Sequence, residues 1–223
     1  MDILYQDNRI LVCVKPAGIL STDEPDGLPE RIRKQLGNPQ ACVRTVHRLD
    51  RVVGGVMVLA RSREAARRLS AQIQQHHWSK EYLAVVHGKP DSGTFHDLLF
   101  RSKEERKTHV ISQPKKGAQE AILDYTTLAS ADSLSLVKIQ LKTGRTHQIR
   151  AQFSAHGYPL YGDKKYGAPE EMEHAIALWS HTLTFTHPQT GQPVHVSALP
   201  PHMTPWTYFP QLWDTAFSQG GHR

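Results

Sequence analysis

The sequence predicts an α+β fold, and three observations lead to that class. Apolar, β-branched runs stand before and after each helical segment, without a regular strand–helix–strand alternation. Alternating runs flank clusters of turn residues, as in antiparallel hairpins. The chain has 223 residues, of which 39% are hydrophobic, and a mean hydropathy of −0.49, so it is long enough to bury one sizeable core. We therefore expect a single domain over residues 1–217 and a disordered tail over residues 218–223.

The first part of the chain contains two predicted strands and one helix. Residues 9–14 form an apolar run that Lys15-Pro16 ends. Residues 55–60 are continuously apolar, which is typical of a strand covered on both faces. Ser62 is placed to cap the helix that follows, and Ala66, Leu69 and Ile73 mark its inner face.

The second part of the chain predicts more strands than helices. One helix is expected over residues 146–156, with Ile149 and Phe153 turned inward and Gly157 just after its end. The other apolar or alternating runs predict strands over residues 82–87, 121–128, 134–142, 181–186 and 194–198.

Positive charge is concentrated in one stretch of the chain. Lys and Arg number 27 against 21 Asp and Glu, a net charge of +6. Residues 51–117 hold 13 of these bases and 6 of the acids, whereas the flanking stretches are close to neutral. Such clustering favours a polyanionic partner, of which nucleic acid is the commonest, although a solvated charged surface gives the same pattern.

Several classes of protein are excluded by composition. No apolar run approaches the ~20 residues of a membrane span, and the first residues do not form a signal peptide. Cys13 and Cys42 form no CxxC pair, and the 14 histidines, such as His87 and His195, lack metal-ligand spacing. We therefore expect a cytoplasmic protein that contacts no membrane and holds no metal ion.

Three segments carry clusters of reactive side chains. Residues 47–50 read His-Arg-Leu-Asp, and arginines beside an aspartate favour its ionised form; a surface salt-bridge cluster is the simpler interpretation. Residues 143–150 place basic side chains at a helix start, which also suits an ordinary polar helix end. Residues 80–88 place Tyr82 near the start of a strand, where a tyrosine is more often part of the core.

Together these segments resemble the RluA family of pseudouridine synthases, which isomerise uridine to pseudouridine in structured RNA. They follow the family's order, as do residues 7–18 and 157–167, so the resemblance extends from about residue 3 to residue 210. It implies the pseudouridine synthase fold, a mixed, mostly antiparallel sheet with flanking helices and a central catalytic cleft. It also implies an isomerase without cofactor that acts, as a monomer, on an rRNA or tRNA stem-loop. Because the motifs start near residue 7, we expect the catalytic domain without an N-terminal RNA-binding extension.

The resemblance also implies roles for individual residues. Asp50 matches the catalytic aspartate, Tyr82 the tyrosine that packs on the target base, and Arg150 the cation that pairs with the aspartate. Arg48 matches the arginine that helps to displace the base. The further motif residues that we expect to bind substrate are His47, Arg51, Arg145, His147 and Gln148.

The basic stretch 51–117 would then follow the RNA backbone. Arg67 and Arg68, on the helix after Ser62, are the first candidates for phosphate contacts. The second set of candidates consists of Arg101, Lys103, Arg106, Lys107, Lys115 and Lys116.

One departure from the family leaves alternatives open. The family follows the aspartate with x-x-Thr-Ser-Gly, whereas residues 51–55 read Arg-Val-Val-Gly-Gly. The missing hydroxyl pair puts substrate choice or efficiency in question more than the reaction. A ribonuclease that uses His47 and His147 is one alternative, and an RNA chaperone or assembly factor that has lost activity is another.

Overall fold

The computed structural model describes residues 1–214, and the tail predicted over residues 218–223 lies outside them. These residues form eleven strands, three α-helices and three short 3₁₀ helices. In chain order the strands and α-helices are β1 (Ile3–Gln6), β2 (Ile10–Lys15), α1 (Leu28–Gln35), β3 (Arg44–Thr45), β4 (Gly54–Ala60), α2 (Arg63–Gln74), β5 (Ser79–His87), β6 (Gly93–Ser102), β7 (Lys107–Ile111), β8 (Gln119–Ala131), β9 (Leu134–Leu141), α3 (Gln148–Ala155), β10 (Leu178–Thr186) and β11 (Pro193–Ser197). The predicted α+β class with a mixed, mostly antiparallel sheet is confirmed.

The described chain divides into two compact units. The first consists of residues 1–80 and 179–200, and the second of residues 81–178 and 201–214. One catalytic domain over residues 1–217 stays a prediction.

In the first unit, β4 is paired along both of its edges. It runs antiparallel to β2 and β3 and parallel to β10, while β1 and β11 extend the pairing beyond β2 and β10. All seven residues of β4 are buried. The strand predicted over residues 55–60 is therefore continuously apolar because water reaches neither of its faces.

The helix α2 begins as the sequence predicts. The Ser62 side chain accepts a hydrogen bond from the N–H of Ala65 at 3.1 Å, which satisfies a donor of the first turn. Ala65 and Leu69 are buried, whereas Ala66 and Ile73 pack at the edge of the same core. The inner face of α2 is thus centred on Ala65 and Leu69, and two of the predicted residues, Ala66 and Ile73, lie at its edge.

The second unit contains an antiparallel sheet in the order β5-β9-β8-β6-β7. On it, α3 buries Phe153 against the rings of Phe95 and Tyr125, with centroid distances of 5.0 and 5.2 Å. The helix starts two residues later than predicted because His147 has a φ of 55°, which a right-handed helix excludes. Gly157, with a φ of 86°, follows the helix end as expected.

The departure from the family at residue 54 has a packing explanation in the first unit. A Cβ atom on Gly54 would lie 2.5 Å from Cζ3 of Trp179 and 3.2 Å from the carbonyl oxygen of Lys15. The Trp179 indole is buried, and its Nε1 donates a hydrogen bond to the Ala198 carbonyl at 2.8 Å. The indole therefore occupies the space that a serine side chain at position 54 would need.

We expect Gly54→Ser to destabilise the protein by about 1–3 kcal/mol, because overpacking a filled site forces side chains from their preferred rotamers. Gly54→Ser combined with Trp179→Leu should recover part of this loss, as urea unfolding can measure. Gly144→Ser is the matched control, since a Cβ there meets no atom within 4 Å. Equal stability of Gly54→Ser and Gly144→Ser would show that the indole does not set the residue at position 54.

Candidate active site

Four of the predicted site residues lie on one loop of the first unit. We call residues 46–53, between β3 and β4, the aspartate loop. Asp50 is half-buried there, and its carbonyl oxygen accepts a hydrogen bond from the N–H of Val53 at 3.0 Å. Arg48 and Arg51 are exposed on the same loop. The structure thus brings together, in a tight turn, the carboxylate and the flanking cations that the sequence predicted.

A buried lysine fixes one side of the aspartate loop. Lys15 is 0% exposed, and its Nζ donates hydrogen bonds to the carbonyls of Pro16, Ile19 and Arg51 at 2.9, 2.9 and 3.3 Å. Burial lowers the pKa of the Lys15 ammonium to about 8, and the negative charge of Asp50 acts in the opposite direction. Lys15 is therefore a buried cation within electrostatic range of the candidate catalytic carboxylate. The sequence marks Lys15 as the end of a strand and as part of the matching segment 7–18, without a role of its own.

The segment that follows Lys15 holds the loop at two further points. The Ser21 hydroxyl donates to the carbonyl of Leu49 at 2.8 Å and accepts from its N–H at 3.1 Å. Gly18 donates its N–H to the Arg51 carbonyl, and Arg51 Nε donates to the Gly18 carbonyl, both at 2.8 Å. These contacts give Arg51 a structural role, and its binding to substrate stays a prediction.

His47 fastens the start of the aspartate loop to β4. Its Nε2 accepts a hydrogen bond from the N–H of Val58 at 3.1 Å, and its ring meets Trp78 edge-on at 5.2 Å. Burial, and secondarily the positive charge of Lys80, lowers the pKa of His47 to about 3. The imidazole is therefore neutral at physiological pH, with Nε2 unprotonated. Its predicted substrate contact, like that of Arg48, stays a prediction.

In the second unit, Gln148 organises the segment 143–150. Its Oε1 accepts from the Thr143 hydroxyl at 2.8 Å and from the N–H of Arg145 at 3.0 Å, and its Nε2 donates to the Ile122 carbonyl at 3.1 Å. The residue is 3% exposed. These bonds close the turn before α3 and account for a glutamine here without any substrate. Its predicted role in substrate binding stays a prediction.

The Arg150 guanidinium is held by a residue that sequence reasoning did not assign. Its Nε and Nη2 donate to the two carboxylate oxygens of Asp163 at 2.7 and 2.9 Å, and both side chains are buried. Its Cζ lies 4.9 Å from the centre of the Tyr166 ring. A bidentate pair of this kind fixes the plane of the guanidinium. The sequence signal that could have identified Asp163 is its place beside Gly162 in the matching segment 157–167. The pairing of Arg150 with Asp50 stays a prediction.

The other predicted residues of the second unit, Tyr82, Arg145 and His147, contact neighbouring strands or side chains of the same unit. Tyr82 is buried in β5 opposite Ile139 of β9, and its packing on a target base stays a prediction. Arg145 Nε donates to the Glu120 carbonyl at 2.9 Å. His147 Nδ1 lies 2.8 Å from the hydroxyl of Tyr166. Substrate contacts of Arg145 and His147 also stay predictions.

The basic side chains of α2 are paired with an acid of their own helix. Glu64 accepts hydrogen bonds from Arg67 at 2.9 and 3.0 Å and from Arg68 at 2.6 Å. Arg68 also donates to the carbonyl of Pro188 at 2.9 Å. The structure therefore disfavours these arginines as the first candidates for phosphate contacts.

Two general features bear on the class of site. Within residues 1–214, no group of three or more His, Cys, Asp and Glu side chains is arranged to hold a metal ion. None of the helices in this part of the chain is both long and apolar enough to cross a membrane.

Comparison with known proteins agrees with the predicted resemblance. Residues 9–155 match the family model described as RNA pseudouridylate synthase. The chain is 32% identical to tRNA pseudouridine synthase C of Haemophilus ducreyi, over 99% of this chain and 96% of the relative. The tRNA pseudouridine synthase C of Salmonella typhimurium is also 32% identical, over 100% and 91%. The uncharacterized RNA pseudouridine synthase YhcT of Bacillus subtilis is 33% identical, over 86% of this chain and 66% of the relative.

Solved structures confirm the predicted fold. Human RNA pseudouridylate synthase domain containing 1 superposes with a TM-score of 0.77 at 24% identity, covering 91% of this chain and 84% of that chain. Human RNA pseudouridylate synthase domain containing 4 superposes with a TM-score of 0.74 at 23% identity, covering 90% and 88%.

The pH dependence of stability should report the burial of Lys15. Its pKa is about 8 in the folded chain against an ordinary value of 10.5, so between these values the unfolded chain binds a proton that the folded chain does not. The unfolding free energy of wild type relative to Lys15→Met should therefore rise with pH in this window, by at most about 1.4 kcal/mol per pH unit. Urea unfolding of both proteins from pH 7 to pH 10 measures the difference. A difference that does not change with pH would contradict the buried-cation assignment.

Proposed function

We infer that this chain, which belongs to the RNA pseudouridylate synthase family, isomerises specific uridines of a structured RNA to pseudouridine through Asp50. The observation that carries the proposal is the half-buried Asp50 on a loop that Lys15, Gly18 and Ser21 hold in place. A carboxylate on a fixed loop keeps its position while substrate binds and reacts.

The chemistry of the isomerisation suits a lone carboxylate. The C1′–N1 bond of uridine breaks, the uracil turns, and C5 joins C1′ with transfer of the C5 proton. The C5 proton leaves to water and N1 of the turned ring takes up a proton, so every heavy atom of the product comes from the substrate and there is no net oxidation or reduction. An ionised carboxylate can act as the nucleophile or as the base. The negative charge of Asp50 raises the pKa of Lys15 against the effect of burial, so the two groups attract each other.

The remaining roles concern the target base and the carboxylate. The target base must leave its stack, which costs a few kcal/mol, and an aromatic ring in the pocket offsets this cost. We assign that ring to Tyr82 and the displacement of the base to Arg48. Arg150 pairs with Asp50, and Asp163 orients Arg150, because a guanidinium held bidentately by one carboxylate is already aligned for a second partner.

For the substrate we favour tRNA over rRNA. Two relatives that match over nearly their whole length are named tRNA pseudouridine synthase C. Pseudouridines mapped in tRNA and rRNA from cells with and without this protein test the choice. Loss of a tRNA site alone is expected, and loss of an rRNA site alone would reverse the assignment.

We further propose a monomer that acts in the cytoplasm without metal or cofactor. Both cysteines are free thiols, Cys13 buried and Cys42 exposed, as is usual in a reducing compartment. We expect chelator-treated protein to be active. Sedimentation of the same sample should show a monomer.

Specific observations weaken both alternatives. A histidine ribonuclease needs a histidine that carries a proton near neutral pH, whereas His47 has a pKa of about 3 and uses Nε2 as an acceptor. An inactive chaperone is favoured only by the unusual residues after Asp50, and for one of them, Gly54, the Trp179 indole gives a packing reason.

Asp50→Asn should abolish the isomerisation, because an amide is neither a nucleophile nor a base here. The assay measures tritium release from RNA that carries tritium at C5 of uridine. RNA binding and the unfolding temperature should stay near those of wild type. Asp132→Asn, in the exposed turn between β8 and β9, is the matched control and should be fully active. More than a few per cent of the wild-type rate in Asp50→Asn would remove Asp50 from its role.

Substitutions at Arg150 should separate charge from geometry. Arg150→Met should lower turnover roughly tenfold or more, because it removes the cation that we assign to the carboxylate of Asp50. Arg150→Lys should recover only part of the loss, since an ammonium cannot reproduce the bidentate contact with Asp163. Breaking a buried pair also costs stability, so turnover is compared at a temperature at which both variants are folded. Equal activity of Arg150→Lys and wild type would show that charge alone suffices.

A further inference from the structure

A group of positive side chains surrounds the Lys164–Tyr166 turn in the second unit. They come from the end of β6, the β6–β7 turn, the start of β7, the helix α3 and the turn itself. We call them the cation cluster: Arg101, Arg106, Lys107, Arg150 and Lys165. Arg106 and Lys165 are exposed, whereas Arg101 and Lys107 are half-buried. Although Lys165 is exposed, its pKa is lowered by partial desolvation and then by the positive charges of the other four members.

The cluster is built around one buried aromatic ring. Tyr166 is 3% exposed, with Lys107 Nζ 5.0 Å and Arg150 Cζ 4.9 Å from its ring centroid. Its hydroxyl accepts from the N–H of Thr108 at 2.9 Å and contacts His147 Nδ1 at 2.8 Å. These contacts place the charged ends of Lys107 and Arg150 against one fixed ring, so this part of the cluster is more organised than an ordinary solvated face.

An acidic group neutralises one of the five members of the cluster, and the other four keep their charge. Asp163 is 1% exposed and forms the bidentate pair with Arg150. Glu105, in the adjacent turn, pairs with His109. Within residues 1–214, no carboxylate forms an ion pair with any of the other four members. The arginines of α1 and α2 differ, because Arg31, Arg33, Arg67 and Arg68 all have acidic partners.

Grouped like charges destabilise a free protein and bind a polyanion well. We propose that the cation cluster binds phosphodiesters of the substrate RNA. The inference rests on the proposed function, because Arg150 belongs both to the cluster and to the proposed active site. The phosphates concerned are accordingly those close to the target uridine. A guanidinium and an ammonium together suit phosphate oxygens, the first through a planar pair of donors and the second as a point charge.

Binding of RNA by a variant that lacks two exposed members tests the proposal. The variant combines Arg106→Asn with Lys165→Gln; asparagine is chosen because residue 106 has a φ of 51°, which asparagine tolerates. The dissociation constant should rise about tenfold at low salt, and the slope of log K against log [salt] should flatten by about 0.7 to 1.8, for one or two lost phosphate contacts. Filter binding with substrate RNA between about 50 and 200 mM salt measures both.

Arg67→Gln combined with Arg68→Gln is the matched control. It also removes two positive charges, but from side chains that are already paired with Glu64. Its affinity should stay within about twofold of wild type. An equal loss of affinity in both double variants would overturn the proposal, since net charge alone would then explain it. Unchanged affinity and slope in the cluster variant would overturn it as well.

Thermal unfolding without RNA separates binding from a structural role. At low salt the cluster variant should unfold at the same temperature as wild type or a higher one, because repulsion among the cations is reduced. A lower unfolding temperature together with unchanged RNA affinity would assign the cluster to the fold and overturn the proposal. Failure of the proposed function is distinguishable, since wild type would then release no tritium whatever the variants bind.

Discussion

The buried ammonium group of Lys15 is the constraint on which the aspartate loop depends. A cation without water must have hydrogen-bond acceptors, and here they are the carbonyls of Pro16, Ile19 and Arg51. One of the three belongs to the aspartate loop. Displacing the loop would therefore leave one of the three N–H groups of a buried ammonium without its acceptor. The contacts of Ser21 with Leu49 and of His47 with Val58 add to this restraint, so the position of Asp50 follows from several polar bonds at once.

The second unit uses the same strategy with different groups. Arg150 is buried and satisfied by the carboxylate of Asp163, and its guanidinium lies over the ring of Tyr166. Gln148 closes the turn before α3 with both ends of its amide. Buried polar groups that are fully satisfied rigidify their surroundings, and they leave exposed neighbours such as Lys165 and Arg106 available to a polyanion. In the first unit the interior polar groups hold the aspartate loop, and in the second unit they hold the segment 143–150. The exposed charges of both units face solvent.

Much of the fold and of the candidate site follows from local sequence. The apolar run of β4, the Ser62 cap and the helix α3 each leave a local signature, and the segments 47–50 and 143–150 stand out for their reactive side chains. The contact between Gly54 and Trp179 joins segments far apart in the chain, so neither spacing nor composition reveals it. The segment 157–167 showed Asp163 as an acid beside a glycine, but its pairing with Arg150 depends on the path of the chain after α3. The pairing of Glu64 with the arginines three and four residues later did have a sequence signal. This pairing of charges within α2 is a better guide to the role of the two arginines than the number of bases in residues 51–117.

We propose above that this chain converts uridine to pseudouridine with its own side chains alone. The most direct measurement incubates purified, chelator-treated protein with transcribed tRNA and quantifies the nucleosides after complete digestion. We expect that uridine is replaced by an equal amount of pseudouridine at a defined position, in RNA of unchanged length. RNA that is bound but keeps all its uridine, or RNA that is shortened, would contradict it.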